Sequence, residues 1–259
     1  MDTKYYIDYY DLERKHWWFT ARLDILESIL TNKILKKDKR KGPLNILNVG
    51  VATGATTEML SKYGTVTSLE YDKDCCKFLF EKTGIKAINA SVTDMPFQDH
   101  SYDLVCAFDV IEHVEDDNLA IHEINRVLKS GGNTFTTVPA FQTLWGDHDV
   151  LNHHFRRYKK RNYNDLFSAN NIETNYLNHF NFWLFIPIAI VRIFARVIKT
   201  GRNTTTITST DNEGINSNQI VGKLLRAVFN SEKYLINNGI KLPFGVSIIH
   251  IGQKKKLVK

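Results

Sequence analysis

The chain has 259 residues, of which 43% are hydrophobic and 24% charged, and its formal net charge is +6. This is the composition of an ordinary soluble globular protein, long enough for one large domain with an insertion or for two small domains. The basic residues cluster at positions 33–41, 156–161 and 254–259. Because no basic stripe is interleaved with aromatic residues, the pattern argues against nucleic-acid binding. Solvated surface is expected for the first and last clusters, with attraction to anionic lipid or a phosphorylated substrate as the alternative.

Cysteine usage and hydropathy predict a reducing, cytoplasmic setting. Cys75, Cys76 and Cys106 lack metal-binding spacing, and adjacent cysteines do not easily form a disulfide bond. The first residues are too polar for a signal peptide. The apolar run 182–191 contains Pro187 and is far shorter than the ~20 residues that span a bilayer. Buried packing is the favoured explanation of this run, and an interfacial helix with peripheral membrane contact is the alternative.

The predicted elements begin with a helical, aromatic-rich segment at residues 5–30, followed by a charged loop at 33–41. From residue 44, short apolar runs alternate with helical patterns. Strands are predicted at 44–49, 66–70, 85–89, 104–108 and 134–138, and helices from the first strand to about 63, at 74–82 and at 118–128. The last of these helices is predicted to stop at Ser130-Gly-Gly132. This alternation predicts a parallel sheet with helices on both faces.

The C-terminal part is less regular. A helix is predicted at 163–170, a strand at 172–180, a mobile loop at 201–217, an amphipathic helix at 220–236 and a last strand at 246–251, followed by a disordered basic tail. The predicted fold is α/β, with a doubly wound seven-stranded sheet. Residues 1–43 would form an N-terminal helical lid, and residues 44–259 the main domain with a helical insertion at about 182–240.

A glycine-containing turn is predicted where the first strand ends. Residues 46–54 read Ile-Leu-Asn-Val-Gly-Val-Ala-Thr-Gly, and a helix pattern follows directly. Gly50 lets the chain turn at little steric cost, and the small Ala52 and Gly54 let a ligand approach the backbone. Glu70 ends the next strand, twenty positions after Gly50, where an acid can bind both hydroxyls of a ribose. The turn and the acid together predict a nucleoside-containing cofactor.

Further motifs follow in order along residues 94–139. They are Asp94-Met-Pro-Phe97, His100-Ser-Tyr-Asp-Leu-Val105, Phe108-Asp-Val-Ile-Glu-His113, Arg126-Val-Leu-Lys-Ser-Gly-Gly132 and Val138-Pro139. With this set, residues 44–139 resemble the class I S-adenosylmethionine-dependent methyltransferases, and more narrowly the small-molecule branch that includes quinone and polyketide methyltransferases. A dehydrogenase is the competing interpretation of a glycine-rich turn with an acid, but the third glycine of that fingerprint is missing here.

The resemblance implies S-adenosylmethionine as cofactor and assigns residues to it. The turn would lie beneath the methionine part and the ribose, Glu70 would bind the ribose hydroxyls, and Tyr71 would lie beside the adenine. The implied cofactor-binding residues are Arg22, Asn48, Gly50, Val51, Ala52, Gly54, Glu70, Tyr71, Ser91, Val92, Asp109 and Val110. Three of them depart from the family pattern: an acid is usual at Asn48, a second glycine at Ala52, and an acid followed by a small residue at Ser91 and Val92. Arg22 would pair with the methionine carboxylate or form a surface salt bridge.

A second group of motifs follows the fifth strand, with Trp145-Gly-Asp-His-Asp149 and Asn152-His-His-Phe-Arg-Arg-Tyr158. Together with residues 16–22 and 242–247, it resembles a subgroup of bacterial methyltransferases often associated with cell-surface glycan or lipid genes. The candidate catalytic bases are His148, Asp149 and His153, with His154 as a further choice. The candidate substrate-binding residues are Trp17, Trp18, His113, His154, Arg156, Arg157 and Tyr158.

Simpler explanations remain for these residues. Adjacent arginines usually face different directions, so one of Arg156 and Arg157 is expected to be structural, and the other to bind phosphate or carboxylate. Trp17 and Trp18 would equally serve as core or lid residues. No metal site is predicted, because the His and Asp residues lack a tight ligand spacing.

The function that this sequence predicts is transfer of a methyl group from S-adenosylmethionine to an O or N atom of a small-molecule, glycan or lipid acceptor. The alternatives are a protein methyltransferase and a non-catalytic module that binds the cofactor or a membrane.

Overall fold

The computed structural model describes residues 3–38, 42–199 and 219–256. Two helices precede the sheet, α1 (Thr3–Lys15) and α2 (Trp17–Ile29), followed by a π-helical turn at Leu30–Ile34 and a 3-10 turn at Leu35–Lys37. The predicted segment 5–30 is thus two helices. They meet at His16, whose Nδ1 accepts a hydrogen bond from the Trp18 backbone N–H at 3.3 Å. Such a side-chain cap starts a new helix by satisfying a backbone donor.

The sheet and its helices follow in alternation. The strands are β1 (Leu44–Val49), β2 (Gly64–Glu70), β3 (Ala87–Asn89), β4 (Tyr102–Phe108), β5 (Leu128–Pro139), β6 (Ile172–Phe180) and β7 (Ser247–Lys254). The remaining helices are α3 (Ala55–Leu60), α4 (Lys73–Thr83), α5 (Asp117–Val127), α6 (Asp147–Leu151), α7 (Lys160–Ala169), α8 (Phe182–Lys199), α9 (Gln219–Asn230) and α10 (Glu232–Asn237).

The predicted seven-stranded doubly wound sheet is confirmed. The strand order is β3-β2-β1-β4-β5-β7-β6, with β7 antiparallel to both of its neighbours and the other pairs parallel. After β1 the chain builds one side of the sheet, and from β4 it builds the other. The carboxyl ends of β1 and β4 therefore flank the topological switch point, where open α/β sheets bind ligands.

Both faces of the sheet are covered. In β4, Leu104 and Cys106 belong to one hydrophobic cluster, and Val105 and Ala107 belong to the other. Because successive strand residues point to opposite faces, this continuous apolar run serves two layers. Helices α5 and α7 contribute to one cluster, and α2, α3, α9 and α10 to the other.

Several predicted boundaries were wrong for identifiable reasons. Strand β5 begins at Leu128, so Ser130-Gly-Gly132 does not follow a helix but bulges from the strand opposite Asp103, with Gly131 at φ +74°. The predicted helix 220–236 is two helices that part at Ser231. The predicted loop 201–217 lies outside the described residues.

Two lysines of the predicted solvated clusters are held by the fold. Lys254 ends β7 and is only 9% exposed, and its Nζ donates to the backbone oxygen of Leu128 at 2.9 Å. The Nζ of Lys33, predicted to lie in a charged loop, donates to the backbone oxygen of Asn237 at 3.1 Å. The predicted basic tail therefore begins only after Lys254.

Helix α8 contains the apolar run and Pro187. Phe182 and Leu184 pack on the core, and the ring of Phe185 lies 5.7 Å from that of Phe141. Other apolar side chains of α8 are exposed, namely Trp183, Ile186 and Ile190. The predicted buried packing is therefore correct for one side of the helix. Within the described ranges, none of the helices is long and apolar enough to cross a membrane.

Candidate cofactor and acceptor site

The turn after β1 is tightly packed at Gly50. Its φ is +66°, and its N–H donates to the backbone oxygen of Leu69 at 2.8 Å. A Cβ at this position would lie 2.4 Å from a methyl group of Val110, so glycine alone fits without a shift. Ala52 also has a positive φ, +45°. A left-handed conformation costs a non-glycine residue about 1–2 kcal/mol. The turn adopts this conformation at Ala52 although alanine replaces the glycine that is usual in the family.

Glu70, at the end of β2, is joined to this turn. One of its carboxylate oxygens accepts from the Ala52 N–H at 3.0 Å, and the other accepts from the Asp72 N–H at 3.0 Å. Burial raises the pKa of Glu70, while these backbone hydrogen bonds act in the opposite direction. The ring of the adjacent Tyr71 is 78% exposed. The acid and the turn thus lie at one edge of the sheet, as the sequence predicted.

Asn48 lies beneath the turn and is 1% exposed. Its Nδ2 donates to the hydroxyl groups of Thr56 and Thr57, each at 2.9 Å, and its Oδ1 has no hydrogen-bond partner among the described residues. These two hydrogen bonds tie the end of β1 to the start of α3.

The remaining cofactor candidates line the same region. Val51 and Val92 are buried. The Ser91 hydroxyl lies 2.7 Å from that of Thr93 and accepts from the Thr93 N–H, so it closes a turn. Gly54 has φ +95°, and a Cβ there would lie 2.7 Å from Leu79 Cδ1.

Arg22 reaches the crevice from α2. Its Nη2 donates to Asp109 Oδ2 at 2.7 Å and to the hydroxyl of Thr137 at 3.1 Å. The Thr137 hydroxyl donates to the other oxygen of Asp109 at 2.9 Å. The Arg22 side chain is 10% exposed and that of Asp109 is 34% exposed. Arg22 therefore forms a largely buried bridge at the carboxyl end of β4, and not the surface salt bridge considered from the sequence.

Helix α1 contacts the turn through residues that the sequence did not single out. The hydroxyl of Thr53 donates to the carboxylate of Glu13, and Arg14 Nη2 donates to the backbone oxygen of Thr53 at 3.1 Å. The remaining cleft is about 10 Å³ and is lined by Glu13, Phe19, Arg22, Leu23, Ala55 and Thr56. No local signal marks Glu13 and Arg14, because their partners lie about 40 residues away.

The interpretation of Asp149 as a general base needs correction. Asp149 is fully buried, and its Oδ1 accepts from Arg157 Nε at 2.7 Å and from His154 Nδ1 at 2.9 Å. Its Oδ2 accepts from the Gly146 N–H at 2.8 Å. Burial alone would raise the pKa of Asp149, but the hydrogen bonds from His154 and Arg157 outweigh it and hold the pKa well below its usual range. This carboxylate is committed to holding the loop.

The two arginines are structural in this arrangement. Arg157 is 7% exposed and also donates from Nη1 to the backbone oxygen of Ala140 at 3.3 Å. Arg156 pairs with Asp117 at 2.9 Å. The buried Tyr158 donates its hydroxyl to the same carboxylate at 2.8 Å. These three of the seven predicted substrate-binding residues are thus bound to protein groups.

Two predicted catalytic bases and two predicted substrate-binding tryptophans make fewer hydrogen bonds. His148 and His153 are exposed, and a ring nitrogen of His148 lies 3.2 Å from Asn152 Nδ2. Trp17 packs edge-on against Phe229, and Trp18 edge-on against Phe19. Trp17 therefore joins α2 to α9, whereas the contact of Trp18 lies within α2, and both side chains pack against the hydrophobic cluster on that face of the sheet.

His113 and His154 meet beside Glu112, which the sequence had placed in a motif without a role. The imidazole rings lie 4.5 Å apart and are nearly perpendicular, at 87°. Burial raises the pKa of Glu112 well above its usual value, and the Asp109 carboxylate adds to this effect. The ring of His113 keeps an exposed edge, yet the surrounding protein and His154 lower its pKa to about 4. An acid flanked by apolar residues, as in Val-Ile-Glu-His-Val, is the signal that could have predicted this burial.

Comparison with known proteins agrees with this geometry. The family described as "Methyltransferase domain" matches residues 47–136. Demethylmenaquinone methyltransferase of Staphylococcus aureus is 32% identical over 120 residues, covering 41% of this chain and 49% of the relative. The chain therefore spans about half the length of the curated relatives it matches.

Solved structures share the fold at low identity. A candidate sarcosine dimethylglycine methyltransferase of Galdieria sulphuraria superposes with a TM-score of 0.57 at 16% identity, over 93% of this chain and 86% of its own. Phosphoethanolamine N-methyltransferase 2 of Haemonchus contortus, solved in complex with S-adenosyl-L-methionine, has a TM-score of 0.55 at 15% identity, over 95% of this chain and 59% of its own. At these identities the likeness shows the fold alone. Residues 47–136 thus match the methyltransferase-domain family, and they lie within a seven-stranded sheet whose fold the solved methyltransferase structures share.

Proposed function

We propose that this protein transfers a methyl group from S-adenosylmethionine to an O or N atom of a small-molecule acceptor, and that the acceptor is a lipid, a quinone-like molecule or a glycan. The observation that carries the proposal is the joint placement of the turn and Glu70. The Ala52 N–H donates a hydrogen bond to the carboxylate of Glu70, at the carboxyl ends of β1 and β2. This edge adjoins the switch point of the sheet.

The residues present fit the cofactor. The turn offers backbone with small side chains, Glu70 offers a carboxylate for ribose hydroxyls, and the exposed ring of Tyr71 offers a face for a base. When bound, S-adenosylmethionine supplies an electrophilic methyl group on a sulfonium centre. The orphaned Oδ1 of Asn48 adds a buried acceptor beneath the turn.

The chain's own contribution is to orient the reactants and to exclude water. The hydrogen bond from Arg22 Nη2 to Asp109 Oδ2, which is 2.7 Å long, fixes the end of β4 beside the crevice. Alignment of this kind removes much of the entropic cost of bringing two reactants together. We infer that residues 1–43 act as a lid, because α1 contacts the turn through Glu13 and Arg14. Closure of such a lid excludes water from the site.

An apolar acceptor is favoured by the helices between β6 and β7. Besides the exposed side of α8, helix α9 carries apolar residues that are 40% to 65% exposed, namely Val221, Leu224 and Val228. Lys223 and Arg226 lie on the same helix. Apolar residues beside basic ones on one helix suit a lipid-like acceptor or peripheral contact with an anionic membrane. The relative from Staphylococcus aureus is named for a quinone acceptor, demethylmenaquinone.

Cofactor binding is tested by titration calorimetry with S-adenosylmethionine and S-adenosylhomocysteine. Wild-type protein is expected to bind both, and Glu70→Ala is expected to weaken binding by about 10- to 100-fold, because it removes a charge-assisted hydrogen-bond acceptor worth roughly 1.5–3 kcal/mol. The matched control is Glu81→Ala, since the Glu81 side chain is exposed on α4. If the wild-type protein gives no heat of binding with S-adenosylmethionine and none with S-adenosylhomocysteine, the proposal is contradicted.

A further inference from the structure

Three side chains of metal-binding type meet beside the crevice. Glu112 and His113 lie in the turn after β4, and His154 lies in the loop after α6. One carboxylate oxygen of Glu112 and one ring nitrogen of each histidine all lie within 4.8 Å of one another. The group is assembled from two segments of the chain about 40 residues apart. None of its members belongs to the turn or to the predicted cofactor-binding residues.

Glu112 is the least satisfied member of this group. Its side chain is 0% exposed, and neither of its carboxylate oxygens accepts a hydrogen bond from another residue of the described chain. Burying an unpaired carboxylate costs several kcal/mol, and a protonated carboxyl without partners is also penalised. A buried carboxylate with both oxygens open is therefore a strong indication of a ligand that supplies the missing contacts.

His154 is held as metal-bound histidines usually are. Its Nδ1 bonds to Asp149 at 2.9 Å, and that carboxylate is fixed in turn by Arg157 Nε at 2.7 Å. When Nδ1–H donates to a carboxylate, Nε2 of the neutral ring keeps its lone pair. Such a carboxylate–histidine pair orients the ring and raises its basicity as a ligand. The buried pair of Asp149 and Arg157 thus has a purpose beyond holding the loop.

We propose that Glu112, His113 and His154 bind a divalent transition-metal ion such as Zn²⁺ or Mn²⁺. Two imidazoles and one carboxylate suit these ions and disfavour Mg²⁺, which prefers oxygen ligands. Bonds of about 2.0–2.2 Å hold ligand atoms closer together than the 4.8 Å limit within which these three atoms lie. The exposed ring of His113 can supply the movement that brings them closer. Three protein ligands leave coordination positions open for another molecule.

The open positions point to an acceptor that carries a hydroxyl group. This step rests on the proposed function, because it assumes that the acceptor enters the crevice beside Asp109. Asp109 lies three residues before Glu112 and interacts electrostatically with both Glu112 and His113. A hydroxyl oxygen bound to the ion has a lowered pKa. The O–H bond would then break and the proton would pass to water, and the oxygen would use the retained electron pair to bond the methyl carbon while the carbon–sulfur bond of S-adenosylmethionine breaks and leaves its electron pair on the sulfur of S-adenosylhomocysteine.

Metal binding is measured directly, with the full chain and without cofactor. Zn²⁺ at a hundred times its dissociation constant is expected to raise the Tm of the wild-type protein by about 5–10 °C. Co²⁺ is expected to give visible absorption bands. Glu112→Gln is expected to weaken Zn²⁺ binding by about 100-fold or more and to abolish the Tm shift. The matched control is His122→Ala, since His122 is an exposed histidine of α5, and it is expected to bind Zn²⁺ as the wild type does.

Each outcome decides the proposal. Absence of a Zn²⁺-dependent Tm shift in the wild type, or equal shifts in wild type and Glu112→Gln, overturns it. If Glu112→Gln does not fold, His113→Ala serves in its place, because the exposed ring tolerates truncation. Wild-type protein that binds S-adenosylmethionine but no Zn²⁺ overturns the metal site alone. Protein that binds Zn²⁺ but no S-adenosylmethionine upholds the metal site and contradicts the proposed function.

Discussion

At the scale of single residues, three carboxylates are fully buried among the residues whose burial the structure describes, and their neighbours decide what each can do. Asp149 is saturated by Arg157, His154 and a backbone N–H, whereas Glu112 has no such partners among the described residues. Glu232 lies between these two in the number of its hydrogen-bond partners. One of its oxygens accepts from the Trp183 N–H at 3.1 Å, at the start of α8, and the other has no described partner.

Glu232 makes the stability of the protein depend on pH. Burial raises its pKa to about 7. Since the unfolded pKa is near the ordinary value, the folded state binds more protons between about pH 4.5 and pH 7, and the free energy of unfolding falls as pH rises through that window. Because glutamine does not titrate, replacing Glu232 by Gln removes this loss of unfolding free energy at higher pH. We expect Glu232→Gln to gain roughly 2 to 3 kcal/mol over the wild type between pH 5 and pH 8.

Urea unfolding at pH 5 and pH 8 measures this difference. Glu81→Gln is the matched control, because the exposed Glu81 is expected to change little at either pH. Stability differences between Glu232→Gln and wild type that are equal at the two pH values would contradict a raised pKa of Glu232.

At the scale of elements, α1 is fastened to the cofactor turn by Glu13 and Arg14. Between α1, α2 and the start of α3, the structure leaves a cleft of only about 10 Å³. We infer that α1 moves when the cofactor enters, because Glu13 and Arg14 hold it against the turn. A ligand that binds only the open form has an apparent affinity reduced by the open fraction.

Weakening this contact is expected to strengthen cofactor binding. Glu13→Ala removes the carboxylate that accepts from Thr53, so the open form becomes more populated. We expect roughly five- to tenfold tighter binding of S-adenosylmethionine, with faster association in stopped-flow fluorescence of the nearby tryptophans. Asp11→Ala, which removes only an exposed pair with Lys15, is the control. Weaker binding by Glu13→Ala would mean that Glu13 belongs to the cofactor site itself.

At the scale of the whole molecule, features marked by a local sequence pattern were predictable, and contacts that only the folded chain creates were not. The turn at Gly50 and the acid Glu70 are local signals, because each strand ends where its apolar run ends, and the structure joins them as expected. The predicted roles of Asp149 and Arg157 failed for the opposite reason. A polar residue in a loop reads as a candidate for chemistry, and only the fold shows that the two neutralise each other in the interior.

The same limit explains the other differences. No pattern along the chain shows that Lys254 reaches the Leu128 carbonyl or that His154 meets Glu112, since these partners come from distant segments. The absence of local ligand spacing therefore did not test for a metal site. The seven strands and the helices on both faces of the sheet were predictable because each strand is a local apolar run that alternates with helical patterns, whereas the strand order and the antiparallel β7 were not predicted.

Methyl transfer itself is the most direct test of the function proposed for the whole molecule. The protein is incubated with S-adenosylmethionine carrying a labelled methyl group and with fractionated lipid, glycan and protein extracts, and products are followed by mass spectrometry. We expect S-adenosylhomocysteine and a labelled small molecule, in equal amounts, from the lipid or glycan fraction. Label in protein instead would favour a protein methyltransferase, and cofactor bound with no S-adenosylhomocysteine formed in any fraction would contradict methyl transfer.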